Sequence, residues 1–227
     1  MYKILKSLTF SFLLMAMLTG YAFAGLYSFE CITNNNLMDA TIGEAQLFMN
    51  VEDANNAQVL FAFTNKGIDN CVITDIYFDD DMPMLQHNSF NYKGDVLYQT
   101  MQFNGIQNLP GAGGNGNNVS FSADYGDSPK KQGGVHNGID QNESLGILFD
   151  LIEYEQNVFY TFDDIITALN NDYIKVGLHV QAFDGGGSES FIDNPNPVPE
   201  PTSLFLLGTG LIGIAGFSRK KLFKTKK

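Results

Sequence analysis

Gln58-Val59-Leu60-Phe61-Ala62-Phe63-Thr64 places its valine and both phenylalanines on one face of an extended chain. A period of two is typical of a β-strand with one buried face. A turn signal, Asn65-Lys66-Gly67, follows it and leads to a second apolar run, Cys71–Phe78. The two runs predict two strands separated by a turn.

Outward from this centre, strand-like runs alternate with turn residues over residues 25–194. About nine short strands near ten residues apart, with no βαβ rhythm, are typical of an antiparallel β-sandwich or jelly roll. We therefore predict an all-β passenger domain over residues 25–193. Its remaining strands are predicted at residues 26–32, 45–51, 96–103, 119–123, 145–152, 174–183 and 189–192.

One segment departs from the β pattern. Thr161 is followed three residues later by Asp164 and then by apolar residues at 165, 166 and 169. This spacing resembles a capping box, and acids in a first turn suit the positive end of a helix dipole. We predict one short helix here, closing one mouth of the sandwich.

Charge is distributed unevenly along the 227 residues, whose formal net charge is -12. Residues 25–200 contain all 25 acids but only five of the 13 bases, a net charge of -20, whereas both ends are basic and apolar. Such an acidic body argues against nucleic-acid binding, because a phosphate backbone repels it. An aromatic content of 13% supplies enough buried area to argue against general disorder.

The N-terminus has the pattern of a secretory signal peptide. Lys3 and Lys6 precede an apolar stretch, and Ala22-Phe23-Ala24 provides the small residues that signal peptidase requires. We predict a signal peptide over residues 1–24 and a mature chain beginning at Gly25. The alternative, an uncleaved anchor, requires about 20 apolar residues, more than this stretch contains.

The C-terminus combines three features in a fixed order. A Pro/Asn-rich stalk over residues 194–198 leads to Pro199-Glu200-Pro201, then to the uncharged residues 202–217 and a basic tail over 219–227. Sixteen helical residues reach about 24 Å, slightly short of a hydrocarbon core of about 30 Å. We predict a marginal transmembrane helix over 202–217, with the tail, which begins Arg219-Lys220-Lys221, in the cytoplasm.

This order over residues 199–227 resembles the PEP-CTERM sorting signal of Gram-negative bacteria. The resemblance implies recognition by an exosortase, a membrane-embedded transpeptidase-like enzyme. It also implies export across the inner membrane, a transient membrane anchor, and then the cell surface or the extracellular matrix, commonly in species that make exopolysaccharide. The alternative is a simple tail anchor after a proline linker. The body resembles a recurring type of PEP-CTERM passenger of unknown function, which implies no activity.

Cys31 and Cys71 are the two cysteines of the chain. An even pair in an exported protein predicts a disulfide, which would stabilise the fold by roughly 4 kcal/mol in the chain-entropy model. The rival, a nucleophilic cysteine, lacks a neighbouring histidine or a Cys-x-x-Cys arrangement.

Asp79-Asp80-Asp81 is the sharpest polar cluster, at the end of an apolar strand. Ca²⁺ accepts six to eight oxygen ligands from such loops, so these residues are the candidate metal site, although a solvated turn is the competing interpretation. Asp124–Asp127 and Asp184–Glu189 are weaker candidates. No other cofactor is predicted, because the three histidines, His87, His136 and His179, lack zinc spacing.

The sequence contains no nucleophile elbow, phosphate loop or dinucleotide-binding glycine signature. We therefore predict a non-catalytic structural or adhesive protein associated with exopolysaccharide. Tyr92, Tyr98 and Tyr125 are candidates for stacking on sugars, with burial in the core as the alternative. The competing function is a secreted carbohydrate-directed hydrolase or carbohydrate-binding module, for which two acids about 5–9.5 Å apart could serve.

Overall fold

The structure is a computed structural model and describes residues 25–94, 96, 98, 102–103, 107–113, 119–127 and 134–195. The described residues form two α-helices, a short 3₁₀ turn at Gly134–Asn137 and twelve β-strands. The helices are α1 (Leu37–Gln46) and α2 (Phe162–Asn170). The strands are β1 (Gly25–Cys31), β2 (Leu47–Asn55), β3 (Gln58–Asn65), β4 (Val72–Asp80), β5 (Leu85–Lys93), β6 (Gln102–Phe103), β7 (Tyr125–Asp127), β8 (Ser144–Leu151), β9 (Glu153–Glu155), β10 (Val158–Phe159), β11 (Ile174–Gln181) and β12 (Glu189–Asp193).

Ten of these strands form one antiparallel sheet in the order β5-β8-β3-β2-β1-β12-β11-β4-β7-β6, and β9 pairs with β10 as a separate hairpin. β1 joins the two halves of the sheet. Its residues 25–28 pair with β2, whereas residues 29–31 pair with β12. The predicted mostly antiparallel β architecture is confirmed, but the expected pair of sheets is one curled sheet.

Aromatic rings from the two halves meet in the core. Phe61 on β3 and Phe149 on β8 belong to one half, and both contact Phe78 on β4 in the other half, with ring centroids 5.1 Å and 4.9 Å apart. All three side chains are fully buried. Burying each side chain contributes about 1.5–3 kcal/mol, so this cluster holds the curled sheet closed.

α1 was not predicted, so the expectation that the domain contains a single helix is wrong. Its exposed first turn carries Leu37 and Met38, so no apolar stripe marks it in the sequence. Asn36 caps the helix by accepting a hydrogen bond from the Met38 N–H at 2.9 Å. Gly43 lets the helix approach the buried Phe191, because a Cβ at this position would overlap the ring.

α2 confirms the predicted helix and its cap. The Thr161 hydroxyl accepts a hydrogen bond from the Asp164 N–H, and the Asp164 carboxylate accepts one from the Thr161 N–H at 2.8 Å. This reciprocal pair is a capping box. The helix buries Ile165, Ala168 and Leu169.

Most strands of the alternating runs are confirmed, with four differences. Of the strand predicted at residues 96–103, the described residues contain only β6, and Val96 lies outside any strand. β2 begins at residue 47 rather than 45, because residues 45 and 46 end α1. Residues 119–123 are not a strand, and β7 follows them at Tyr125–Asp127. β5 and the β9–β10 hairpin were missed, because both are largely exposed and lack alternation.

Candidate functional site

The predicted aspartate cluster borders a cavity of about 410 Å³ beside the end of β4. One further segment, residues 122–125, completes the wall. The cavity is lined by Asp79, Asp80, Asp81, Pro83, Ser122, Asp124 and Tyr125.

Asp79 is buried and neutralised by a lysine. Its Oδ2 lies 2.7 Å from Lys175 Nζ and accepts a hydrogen bond from the Ser122 N–H at 3.0 Å. The lysine also lies 3.5 Å from the exposed carboxylate of Asp81, which directly follows β4. Burial alone would lower the pKa of Lys175, but the hydrogen bond and charge of Asp79 raise it above its ordinary value.

Asp80 has a different set of partners. Its Oδ2 accepts hydrogen bonds from the Met84 and Leu85 N–H groups at 2.8 and 2.9 Å, which fixes the turn into β5. Burial raises the pKa of Asp80 to about 6, although these two donors oppose the rise. The consecutive carboxylates of Asp79 and Asp80 thus have different partners, a lysine and two backbone N–H groups. Among the described residues, no group of three or more His, Cys, Asp or Glu side chains is placed to hold a metal ion. Calcium binding at Asp79, Asp80 and Asp81 therefore stays a prediction.

A second acidic cluster surrounds the start of α1. Glu189, at the start of β12, is buried, and its two carboxylate oxygens accept hydrogen bonds from the Asn36 N–H at 2.6 Å and the Asn35 N–H at 3.0 Å. The Thr33 hydroxyl also donates to it at 2.5 Å. A carboxylate in this position stabilises the helix N-terminus.

Asp39 lies in the first turn of α1, against the glycine-rich loop 184–187. It is 2% exposed, and its Oδ2 accepts no hydrogen bond from any described residue. Burial raises the pKa of this carboxyl, and the charges of Glu189 and Asp184 raise it further. The segment Asp184–Glu189, a weaker candidate from the sequence, thus lies beside Asp39. Asp39 precedes Asp184 by 145 residues, so only the fold shows that the two are close.

The two cysteines are free thiols, both buried, so the predicted Cys31–Cys71 disulfide is absent from the structure. Each thiol has its own polar partners. The Cys31 thiol donates to Glu189 Oε2 at 3.6 Å, whereas Cys71 Sγ accepts from Gln46 Nε2 at 2.9 Å. Burial raises the pKa of the Cys71 thiol to about 11 and raises that of Cys31 as well, which makes both poor nucleophiles.

Comparison with protein families decides the identity of the C-terminal segment. Residues 197–220 match the PEP-CTERM protein-sorting motif. The chain carries a PEP-CTERM sorting signal. The match includes Pro199, Glu200 and Pro201 and extends through Arg219 and Lys220. No curated protein and no solved structure matches the chain.

The PEP-CTERM motif marks the protein as an exosortase target that is exported and sorted to the bacterial cell surface. The predicted signal peptide (1–24), most of the stalk, the helix (202–217) and the basic tail, which includes Lys221, lie outside the described residues. Within the described residues, no helix is long and apolar enough to span a bilayer. The predicted mature N-terminus, Gly25, is the first residue of β1.

The body of this PEP-CTERM protein exposes a different set of aromatic side chains from those predicted. Tyr98 and Tyr125 are buried, and their hydroxyls donate to the carbonyl oxygens of Ile73 at 2.7 Å and Leu85 at 2.5 Å. Tyr92 is exposed and stacks on Phe90, with ring centroids 5.8 Å apart. Two of the three predicted sugar-stacking residues therefore belong to the core.

The β9–β10 hairpin carries an aromatic cluster that sequence reasoning missed. Tyr154 is 52% exposed and its ring lies 4.7 Å from the ring of Tyr160, and Val158 and Phe159 are also exposed. No strong strand alternation marks this short hairpin, so only the structure shows the contact between Tyr154 and Tyr160 and the exposure of Val158 and Phe159 on the same hairpin.

Two of the three histidines are part of ordinary packing. The ring of His87 lies 4.6 Å from that of Phe90, and His179 Nδ1 lies 3.3 Å from the Ser190 hydroxyl. Burial lowers the pKa of both imidazoles. The side chain of His136 lies outside the described residues.

Proposed function

We propose that this protein is a non-catalytic structural or adhesive component of an extracellular polysaccharide matrix, delivered by exosortase to the surface of a Gram-negative bacterium. The observation that carries the proposal is the PEP-CTERM motif at residues 197–220. On this route signal peptidase removes residues 1–24, the helix over 202–217 anchors the precursor transiently, and exosortase removes the tail. The β-rich body then remains at the surface or in the matrix.

The surface proposed to contact polysaccharide is the β9–β10 hairpin. Exposed aromatic rings bind sugars because the apolar face of a pyranose ring packs on them while its hydroxyls stay hydrated. Tyr154 is 52% exposed and rests against the partly buried Tyr160, and Phe159 adds a second exposed ring on the same hairpin at 45%. The net charge of -20 over residues 25–200 favours a neutral or cationic polysaccharide over an anionic one.

Sedimentation of the full chain with insoluble polysaccharides tests this proposal. We expect Tyr154→Ala to lower the bound fraction at least tenfold on the polysaccharide that the wild-type chain prefers. Tyr173→Ala is the matched control, because Tyr173 is similarly exposed, at 50% against 52%, but lies outside the hairpin. An absence of binding to neutral and cationic polysaccharides, or equal losses in both variants, would contradict the proposed contact.

A carbohydrate-directed hydrolase is the second candidate, and one observation favours it. Asp80, with a pKa raised to about 6 by burial, borders the 410 Å³ cavity together with the exposed Asp124. Two acids in different environments can serve as acid and base in glycoside hydrolysis. The backbone hydrogen bonds of Asp80 favour a structural role instead. Reducing sugar released by the wild type but not by Asp124→Asn would support the hydrolase.

A further inference from the structure

Asp39 is a buried acid with no positively charged partner among the described residues. The residue is only 2% exposed, yet one carboxylate oxygen, Oδ2, has no hydrogen-bond donor among the described residues. A buried carboxylate without compensation is strongly unfavourable, so it must bind either a proton or a cation. Both ion pairs of the described residues are made by Lys175 with Asp79 and Asp81, so no lysine or arginine there neutralises Asp39.

The loop over residues 184–187 lies directly against this carboxylate. A Cβ at Gly187 would overlap Asp39 Oδ2, and a Cβ at Gly185 would lie 3.9 Å from Asp39 Oδ1. Both carboxylate oxygens therefore face the loop, and the lack of a side chain at Gly187 lets the backbone approach Oδ2 closely. Gly186, with φ of +75°, turns the chain between them.

Two further acids, Glu189 and Asp184, lie near Asp39, and they differ in whether their carboxylate oxygens are available to bind a cation. Glu189 already accepts hydrogen bonds from the backbone of the α1 N-terminus, so its oxygens are committed. Asp184 is exposed, begins the glycine loop, and accepts a hydrogen bond from Asn70 Nδ2. The charges of Glu189 and Asp184 act on Asp39 in the same direction as its burial and raise its pKa. The three neighbouring acids thus attract a cation, and no lysine or arginine of the described residues supplies that positive charge.

We propose that Asp39 and Asp184, together with backbone carbonyl oxygens of residues 184–187, bind a calcium ion. Carboxylate and carbonyl oxygens in a flexible loop are the ligands that Ca²⁺ accepts, and Mg²⁺ demands a more rigid octahedral arrangement. Side chains alone do not suffice, since no group of three or more acidic, histidine or cysteine side chains is placed for a metal in the described residues. The loop carbonyls are therefore part of the site. This inference is independent of the proposed matrix role.

Thermal unfolding of the full chain in mild detergent, with EDTA, 10 mM CaCl₂ or 10 mM MgCl₂, tests the site. Extracellular calcium modules bind with Kd of about 10⁻⁴–10⁻³ M. At that affinity we expect Ca²⁺ to raise Tm by about 3–10 °C relative to EDTA, and Mg²⁺ to raise it by less than half as much. Isothermal titration with CaCl₂ measures the Kd directly.

Asp39→Asn and Asp184→Asn are expected to raise the Kd for Ca²⁺ at least tenfold and to abolish the Tm increase. Asp184 is exposed, so its replacement leaves the fold intact even if the buried substitution at Asp39 does not. Asp81→Asn is the matched control in the other acidic cluster and should respond to Ca²⁺ like the wild type. Equal Tm values in EDTA and Ca²⁺ for the wild type would overturn the proposal. So would a Ca²⁺ response retained by Asp184→Asn or lost in Asp81→Asn.

Discussion

Replacing the last residue of β12, Asp193→Asn, should make the protein more stable at neutral and alkaline pH. Asp193 is 6% exposed, and its Oδ1 accepts a hydrogen bond from the Val176 N–H at 2.6 Å. Burial raises the pKa of Asp193 to about 7, and the charge of Asp172 adds to the rise, while the Val176 N–H and Lys175 oppose it. An asparagine amide oxygen can accept the same hydrogen bond without carrying a charge.

The sign and size of the effect follow from proton linkage. Below about pH 4 the carboxyl is protonated in both the folded and the unfolded chain, so Asp193 and asparagine differ little. Between pH 4 and pH 7 the unfolded chain loses this proton first, so the free energy of unfolding falls as the pH rises. A pKa of about 7 against an ordinary value of 3.8 corresponds to about 4 kcal/mol, at about 1.4 kcal/mol per pH unit.

Urea unfolding of both proteins at pH 4, 5, 6, 7 and 8 measures this difference. We expect Asp193→Asn to gain up to about 4 kcal/mol over the wild type at pH 8 and about 0 at pH 4. Other titrating groups are common to both proteins and cancel in the comparison. Glu155→Gln, at an exposed position of β9, is the control and should shift stability by less than about 0.5 kcal/mol at every pH. A difference for Asp193→Asn that stays constant with pH would refute the reasoning.

Two further predictions concern a helix cap and a buried ion pair. Thr161→Ala should destabilise the protein by about 1 kcal/mol in urea unfolding, because it removes the N-cap of α2, whereas Thr167→Ala on the exposed face of the same helix should cost less than about 0.5 kcal/mol. Equal losses would argue against the cap. Lys175→Met should cost about 3 kcal/mol, because it leaves Asp79 buried without its partner, and the exposed Lys93→Met should be nearly neutral. A loss below about 1 kcal/mol at Lys175 would show that the ion pair does not stabilise the pairing of β4 with β11.

Local patterns predicted the parts of the fold in which one face of an element is buried. β3 buries Val59, Phe61 and Phe63 on alternate positions, and this period is visible in the sequence. α2 is predictable from the spacing of Thr161 and Asp164, because a capping box is a local interaction. The elements that were missed lack such a signal. β5 is an edge strand with mostly exposed side chains, so polar residues are tolerated along nearly its whole length.

The candidate sites depend on contacts between distant residues, which local patterns do not reveal. The aspartates at 79–81 are adjacent in sequence, but Asp79 pairs with Lys175, 96 residues away. Asp80 instead accepts hydrogen bonds from the backbone of the next turn. Conversely, Asp39 and Asp184 are far apart in sequence, and the packing of α1 beside β12 brings them to one loop. The PEP-CTERM signal was predictable because motif, apolar stretch and basic tail are contiguous.

Intact mass spectrometry of the protein from the surface or medium of an exosortase-containing host tests the central claim most directly. We expect a mass that begins at Gly25 and lacks the apolar stretch and basic tail, residues 202–227. The Glu200→Ala variant should instead remain in the membrane with Lys227 still present. A wild-type protein that retains its tail, or a Glu200→Ala variant processed like the wild type, would contradict exosortase sorting of this chain.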